Sequence, residues 1–66
     1  MKKYSTIQEV KEAVLSGAVV NWCNSLYYVK IDFEGDFVIK CIDSSGQELL
    51  DGKHEANDFF TIIKKN

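Results

Sequence analysis

The clearest pattern in the chain is a helical repeat of apolar residues close to the N-terminus. Three apolar residues recur at i, i+3 and i+7 and so share one side of a helix: Ile7, Val10 and Val14. Ser5-x-x-Gln8 and Thr6-x-x-Glu9 are two overlapping candidates for a capping box at the start of this helix. Gly17 is suited to end it in a left-handed conformation. The pattern predicts a helix over residues 5–16.

From Val19 onward the apolar residues tend to recur at every second position, as they do in half-buried antiparallel strands. The predicted strands cover residues 19–23, 26–33, 37–42, 47–50 and 59–63. Turns are expected at Asn24-Ser25, at residues 43–46 and at Asp51-Gly52, with a helical turn at residues 55–58 and a polar end at residues 64–66. The fold class that follows is α+β: one N-terminal helix packed on a small antiparallel sheet of three to five strands, in a single domain over residues 1–66.

The hairpin over residues 26–42 has a register that burial can predict. A three-residue loop at residues 34–36 would form three apolar pairs on one face: Phe33/Phe37, Ile31/Ile39 and Val29/Cys41. The common three-residue loop has glycine in its third position, whereas Gly35 would be second. We expect the burial of several side-chain pairs to outweigh this preference of the turn.

The opposite, outer face of this hairpin carries the candidate binding residues Tyr28, Lys30 and Lys40. The register above places Lys30 opposite Lys40, and like charges in that position are mildly destabilising. Two interpretations stay open. The lysines either extend separately into water, or an anion or acidic partner lies between them.

Composition and charge narrow the classes of partner. With 45% hydrophobic residues and no proline, the chain is expected to fold rather than to be disordered. The net charge is −2, whereas a domain that grips phosphate backbones usually carries a basic excess. Nucleic acid is therefore not expected as the main partner.

The chain has no segment that indicates a membrane or export. Its apolar runs are far too short to cross a bilayer, and no apolar stretch follows Lys2 and Lys3. We expect a cytoplasmic location, no membrane association and reduced thiols. Cys23 and Cys41 lie too far apart for a redox or zinc motif, so both are expected to be small buried side chains.

Catalytic and metal-binding patterns are weak. His54 is the only histidine and lies next to a turn, which favours a surface residue over a general base because no partner nucleophile is evident. Asp32, Glu34 and Asp36 alternate as in a calcium loop, but the glycine falls before the third acid. We expect no enzyme activity, no cofactor and no metal site. Trp22 and Tyr27 are expected in the core.

Short segments along most of the chain resemble a group of small bacteriophage proteins. The similar segments are Thr6-Ile7-Gln8-Glu9-Val10, Gly17, Tyr27-Tyr28-Val29-Lys30, Asp51-Gly52-Lys53 and Asn57-Asp58-Phe59-Phe60. The chain departs from that group at Gln47-Glu48-Leu49-Leu50, where the group tends to carry a stretch with Thr and Trp. The resemblance implies a phage or prophage origin, hence the host cytoplasm, and brings no biochemical activity with it.

The function that these observations favour is that of a small non-catalytic accessory protein that binds and modulates a host protein. A protein partner or a homo-oligomer is expected, since so short a chain gains stability from association. The alternative is a nucleic-acid-binding protein that uses the outer face of the 26–42 hairpin.

Overall fold

The computed structural model describes residues 1–63, in which one helix packs against a six-stranded antiparallel sheet. The elements in chain order are β1 (Lys2–Lys3), α1 (Ile7–Leu15), β2 (Asn21–Trp22), β3 (Asn24–Ile31), β4 (Phe37–Cys41), β5 (Gln47–Leu49), a 3-10 turn (Ala56–Asp58) and β6 (Phe59–Thr61). The strand order across the sheet is β1-β6-β2-β3-β4-β5. The α+β class is confirmed, with six strands rather than three to five. The predicted polar end at residues 64–66 lies outside the described residues.

The helix begins and ends at the residues that its signals indicate. Thr6 is the N-cap: its hydroxyl accepts a hydrogen bond from the Glu9 N–H (3.1 Å), and the Glu9 carboxylate accepts one from the Thr6 N–H (3.0 Å). Of the two candidate capping boxes, this one forms. Gly17 has a φ of +95°, and its N–H donates to the Val14 carbonyl (3.1 Å), so it closes the helix in the left-handed conformation.

The core lies between α1 and the sheet. Val10 of the helix and Val20 and Phe59 next to or on the central strands are fully buried. The remaining buried members of this core are Tyr4, Val29, Ile39 and Leu50. Trp22 and Tyr27 pack against it, as the sequence predicts. The helix therefore covers one face of the sheet, and no other element among residues 1–63 packs as a layer on the opposite face.

The predicted register of the hairpin is wrong by two residues. The structure pairs Ile31 with Phe37 and Val29 with Ile39, and Phe33 lies in the loop with 99% of its surface exposed. The loop is Phe33-Glu34-Gly35, which places Gly35 third, at φ +90°, as the turn preference requires.

Asp32 holds this loop in place. Its Oδ1 accepts hydrogen bonds from the N–H groups of Glu34 (3.0 Å) and Asp36 (2.9 Å). Its own N–H donates to the Asp36 carbonyl (2.9 Å), which closes the hairpin. Lys30 consequently lies opposite Val38 and not opposite Lys40. The alternating acids are thus a turn-forming arrangement at the tip of the hairpin.

The connection between β2 and β3 also differs from the prediction. Asn24 and Ser25 belong to β3, and the chain reverses at Cys23, which has a φ of +62°. The register between the two strands shifts between Asn21 and Trp22, so Trp22 pairs with Asn24 while Asn21 pairs with Tyr28. Cys23 is exposed and Cys41 is half-buried, so the expectation of a buried thiol at Cys23 is wrong.

Candidate functional site

The uncovered face of the sheet, called the outer face below, consists of two rows of paired side chains. Residues that pair across antiparallel strands point to the same side of the sheet. The longer row crosses all six strands and contains Lys3, Phe60, Asn21, Tyr28, Lys40 and Gln47. The shorter row contains Lys30, Val38 and Leu49. The three candidate residues from the sequence, Tyr28, Lys30 and Lys40, thus lie together on this face.

The centre of the outer face is formed by Tyr28 and Lys40, which pair directly. Both are half-buried, whereas Lys30 is exposed. Val38, between Lys30 and Leu49, is only 2% exposed. The result is a shallow surface in which apolar side chains lie among lysine side chains.

Lys3 and Phe60 extend this surface beyond the hairpin. The Lys3 ammonium lies 5.8 Å from the centre of the Phe60 ring and donates to the Asn57 carbonyl (3.3 Å). Phe60 is 8% exposed beneath it. Neither residue was predicted from the sequence to lie on this face. Both residues join this face because β1 pairs with β6. A strand of two residues is too short to show an alternating pattern in the sequence.

Asn21 connects the two halves of the longer row. It is 8% exposed and lies between Phe60 and Tyr28, its pairing partners on either side. Its side-chain amide donates to the Tyr27 carbonyl (3.1 Å), at the point where the register of β3 shifts. This buried polar group is therefore satisfied by the backbone, and it holds Tyr28 in line with the rest of the row.

The charge on the outer face is of one sign. Lys3, Lys30 and Lys40 are the charged residues among its two rows, and no Asp or Glu of these described strands faces outward. Glu48, the acid within β5, pairs with Ile39 and faces the helix side. The whole chain carries a net charge of −2. Within the strands of residues 1–63, the outer face thus carries positive charge only, and no described element covers it.

His54 does not lie free on the surface as the sequence suggested. Its side chain is 9% exposed and packs edge-on against Trp22, with ring centres 5.6 Å apart. Nε2 lies 2.5 Å from the Glu48 carboxylate, and Nδ1 accepts a hydrogen bond from the Asp51 N–H (3.2 Å). Nε2 therefore joins the loop to β5, while Nδ1 fixes the backbone of the loop itself.

The Cys23 thiol lies beside Asp58, and its pKa is raised above the usual value. Desolvation by the surrounding chain raises the pKa of this thiol, and the negative charge of Asp58 raises it further. Asp58 is close because its carbonyl accepts the Cys23 N–H (2.8 Å). A thiol with a raised pKa carries little thiolate at neutral pH, so this environment suppresses nucleophilic reactivity.

Residues 1–63 contain neither a metal-ligand cluster nor a helix fit to span a membrane. No group of three or more His, Cys, Asp or Glu side chains in this part of the chain is arranged to hold a metal ion. None of its helices has the length and apolar character needed to span a membrane.

Comparison with known proteins adds no relative. No protein-family model, no curated protein and no solved structure matches this chain.

Proposed function

We propose that this chain is a non-catalytic binding protein whose outer face docks an acidic, partly apolar segment of a partner protein. The observation that carries the proposal is the concentration of charge. An acidic chain presents three lysines and no acid within the strands of its outer face, while Asp32 and Asp36 pair beyond the strand ends, at the tip of the hairpin. Complementary charge speeds encounter and selects among partners, while apolar contacts at the centre supply affinity.

The apolar content of this face favours a protein over nucleic acid. Leu26, in line with Tyr28 on β3, is 43% exposed, and Leu49 is 56% exposed. Base stacking needs open aromatic faces, but Phe60 is buried beneath Lys3 and Tyr28 is half-buried. Three lysines also give a weak field for a phosphate backbone on a chain of net negative charge.

The face suits this role better than the edges of the sheet do. The edge strands β1 and β5 have two and three residues, and such short edges offer little backbone for another strand to pair with. A second copy stacked through the same face would bring lysines against lysines. An acidic partner would instead neutralise the lysines, so the expected partner is a different protein and not a second copy of this chain.

The resemblance to small bacteriophage proteins supports a host protein as the partner. A phage accessory protein acts on host machinery that it does not itself encode. In this proposal the chain modulates its target by occupying an acidic surface of that target. Catalysis has no part in the proposal, since the His54 ring is engaged by Glu48 and the backbone of Asp51.

A pull-down from host lysate tests the proposal. The wild type is compared with the double variant Tyr28→Ala/Lys30→Ala and with Lys53→Ala, which removes a lysine from a loop away from the outer face. We expect the wild type and Lys53→Ala to capture one discrete host protein, even after nuclease treatment of the lysate. The double variant should not capture it, and raised salt should elute it.

Three outcomes would overturn the proposal. The first is equal retention by the double variant. The second is recovery of nucleic acid, which supports the alternative function. The third is a dimeric wild type that becomes monomeric in the double variant, which points to self-association through the outer face.

A further inference from the structure

A cavity of about 280 Å³ opens on the helix-side face of the sheet, opposite the outer face. Its walls include Trp22, Tyr27, Ile39, Cys41 and Glu48, and none of its lining residues belongs to α1. Ligand pockets for drug-sized molecules start near this volume. The cavity therefore suits a small head group or the end of a single side chain.

Two aromatic rings line this cavity at nearly a right angle. The Trp22 and Tyr27 ring planes meet at 81°, with their centres 5.4 Å apart. Trp22 is fixed in place by further contacts with His54 and Phe59. Its indole N–H is buried and has no hydrogen-bond partner among the described residues. The ring is thus held by packing, and the group that it can offer to a ligand is its π surface.

Glu48 gives the cavity a negative charge. It is the charged residue among those that line it, and no lysine does. One carboxylate oxygen contacts His54, so the other is available to a ligand. The side chain of Glu48 is 62% exposed, which leaves it accessible from the opening.

We propose that this cavity binds an organic cation, specifically an alkylated ammonium group. Ammonium groups are attracted to the faces of Trp and Tyr, and aromatic side chains are a recurring means of recognising a methylated ammonium. The Glu48 carboxylate adds the attraction of an opposite charge. A bare metal ion would need several oxygen or nitrogen ligands, whereas Glu48 supplies one carboxylate here. The site lies on the opposite side of the sheet from the outer face, so its test is independent of the protein-binding proposal.

Trp22 is the only tryptophan and reports on the cavity by its fluorescence. The experiment titrates the protein with choline and, in parallel, with 3,3-dimethylbutan-1-ol, which has the same shape without the charge. We expect choline to change the emission with saturation, and the neutral alcohol to bind about 10-fold more weakly, as a contribution of about 1.4 kcal/mol implies. NMR shifts of Tyr27 and Ile39 give a second readout if the emission does not change.

Two variants test whether the charge of Glu48 distinguishes choline from the neutral alcohol. Glu48→Gln keeps an oxygen that can accept from His54 but removes the charge, so it is expected to weaken choline about 10-fold and the alcohol hardly at all. Glu55→Gln, which removes a charge that does not line the cavity, should leave both unchanged. Equal binding of choline and the alcohol, unchanged choline binding by Glu48→Gln, or no saturable signal in either readout would overturn the proposal.

Discussion

Tyr28 lies directly opposite Lys40 at the centre of the uncovered sheet face. This pairing depends on the loop Phe33-Glu34-Gly35, because moving the loop by one residue would shift the β4 partner of every β3 residue by two positions. With the loop at residues 34–36, Lys40 would face Lys30 instead. The position of the turn thus decides whether the middle of the outer face is a tyrosine–lysine pair or two like charges.

The register predicts a specific set of NMR contacts. The hydrogen bonds Asp32 N–H to Asp36 O and Ile42 N–H to Leu26 O mark the hydrogen-bonded pairs. The pairs between them, such as Val29/Ile39, are then non-hydrogen-bonded, with Cα atoms about 4.5 Å apart and Hα atoms in close contact.

We therefore expect strong Hα–Hα NOEs for three pairs: Tyr27/Cys41, Val29/Ile39 and Ile31/Phe37. The alternative register would give such an NOE between Lys30 and Lys40. Observation of the Lys30/Lys40 contact without the three expected ones would contradict the structure.

The hairpin shows how far sequence reasoning reaches. Alternation correctly assigns faces, since Tyr28, Lys30 and Lys40 share the outer one in either register. It cannot separate two registers that differ by two residues, because both keep the same residues on each face. The glycine preference of the turn carried the missing information. Because the loop places glycine third, Phe33 lies within the loop and is fully exposed.

Gly35→Ala tests this turn. Gly35 has a φ of +90°, and a Cβ there would meet no atom within 4 Å, so the cost is conformational alone. We expect a loss of about 1 kcal/mol in the free energy of unfolding, measured by urea denaturation.

Gly52→Ala is the matched control for that experiment. It also has open space for a Cβ and no positive φ, so its stability should stay within about 0.5 kcal/mol of the wild type. If the two variants are equally stable, the left-handed conformation at Gly35 is wrong.

Cys23 should react slowly with iodoacetamide. Since desolvation and the Asp58 charge raise the pKa of its thiol, the thiolate forms at higher pH than in an unstructured cysteine peptide. The rate at Cys23, separated from Cys41 by mass spectrometry, should therefore rise with pH along a curve shifted upward from that of the peptide.

Removing the neighbouring charge should move this curve back. Asp58→Asn lowers the pKa of the thiol and so raises the rate at a given pH. Glu34→Gln, at the other end of β3 from Cys23, should have no effect. A curve at or below that of the peptide, or an unchanged curve in Asp58→Asn, would contradict the assignment.

The remaining parts of both sites depend on contacts between distant segments. Lys3 joins the outer face only because β1 pairs with β6, at the other end of the chain. At the cavity the register shifts between Asn21 and Trp22, and the Trp22 ring lies against Tyr27 although the two residues are not paired. Periodicity describes one segment at a time, so neither arrangement was open to prediction. The helix, whose caps and apolar stripe are local, was predicted to within two residues at its start and one at its end.

Site-specific photo-crosslinking tests the protein-binding role of the outer face most directly. A benzophenone amino acid replaces Tyr28 in one protein and Glu12, which is exposed on α1, in another. We expect the label at position 28 to capture one discrete host protein in nuclease-treated lysate, and the label at position 12 to capture none. Adding Lys30→Glu/Lys40→Glu should reduce the yield of the position-28 adduct about 10-fold or more. Equal capture from both positions, or an adduct that survives the charge reversal unchanged, would contradict a protein-binding role of the outer face.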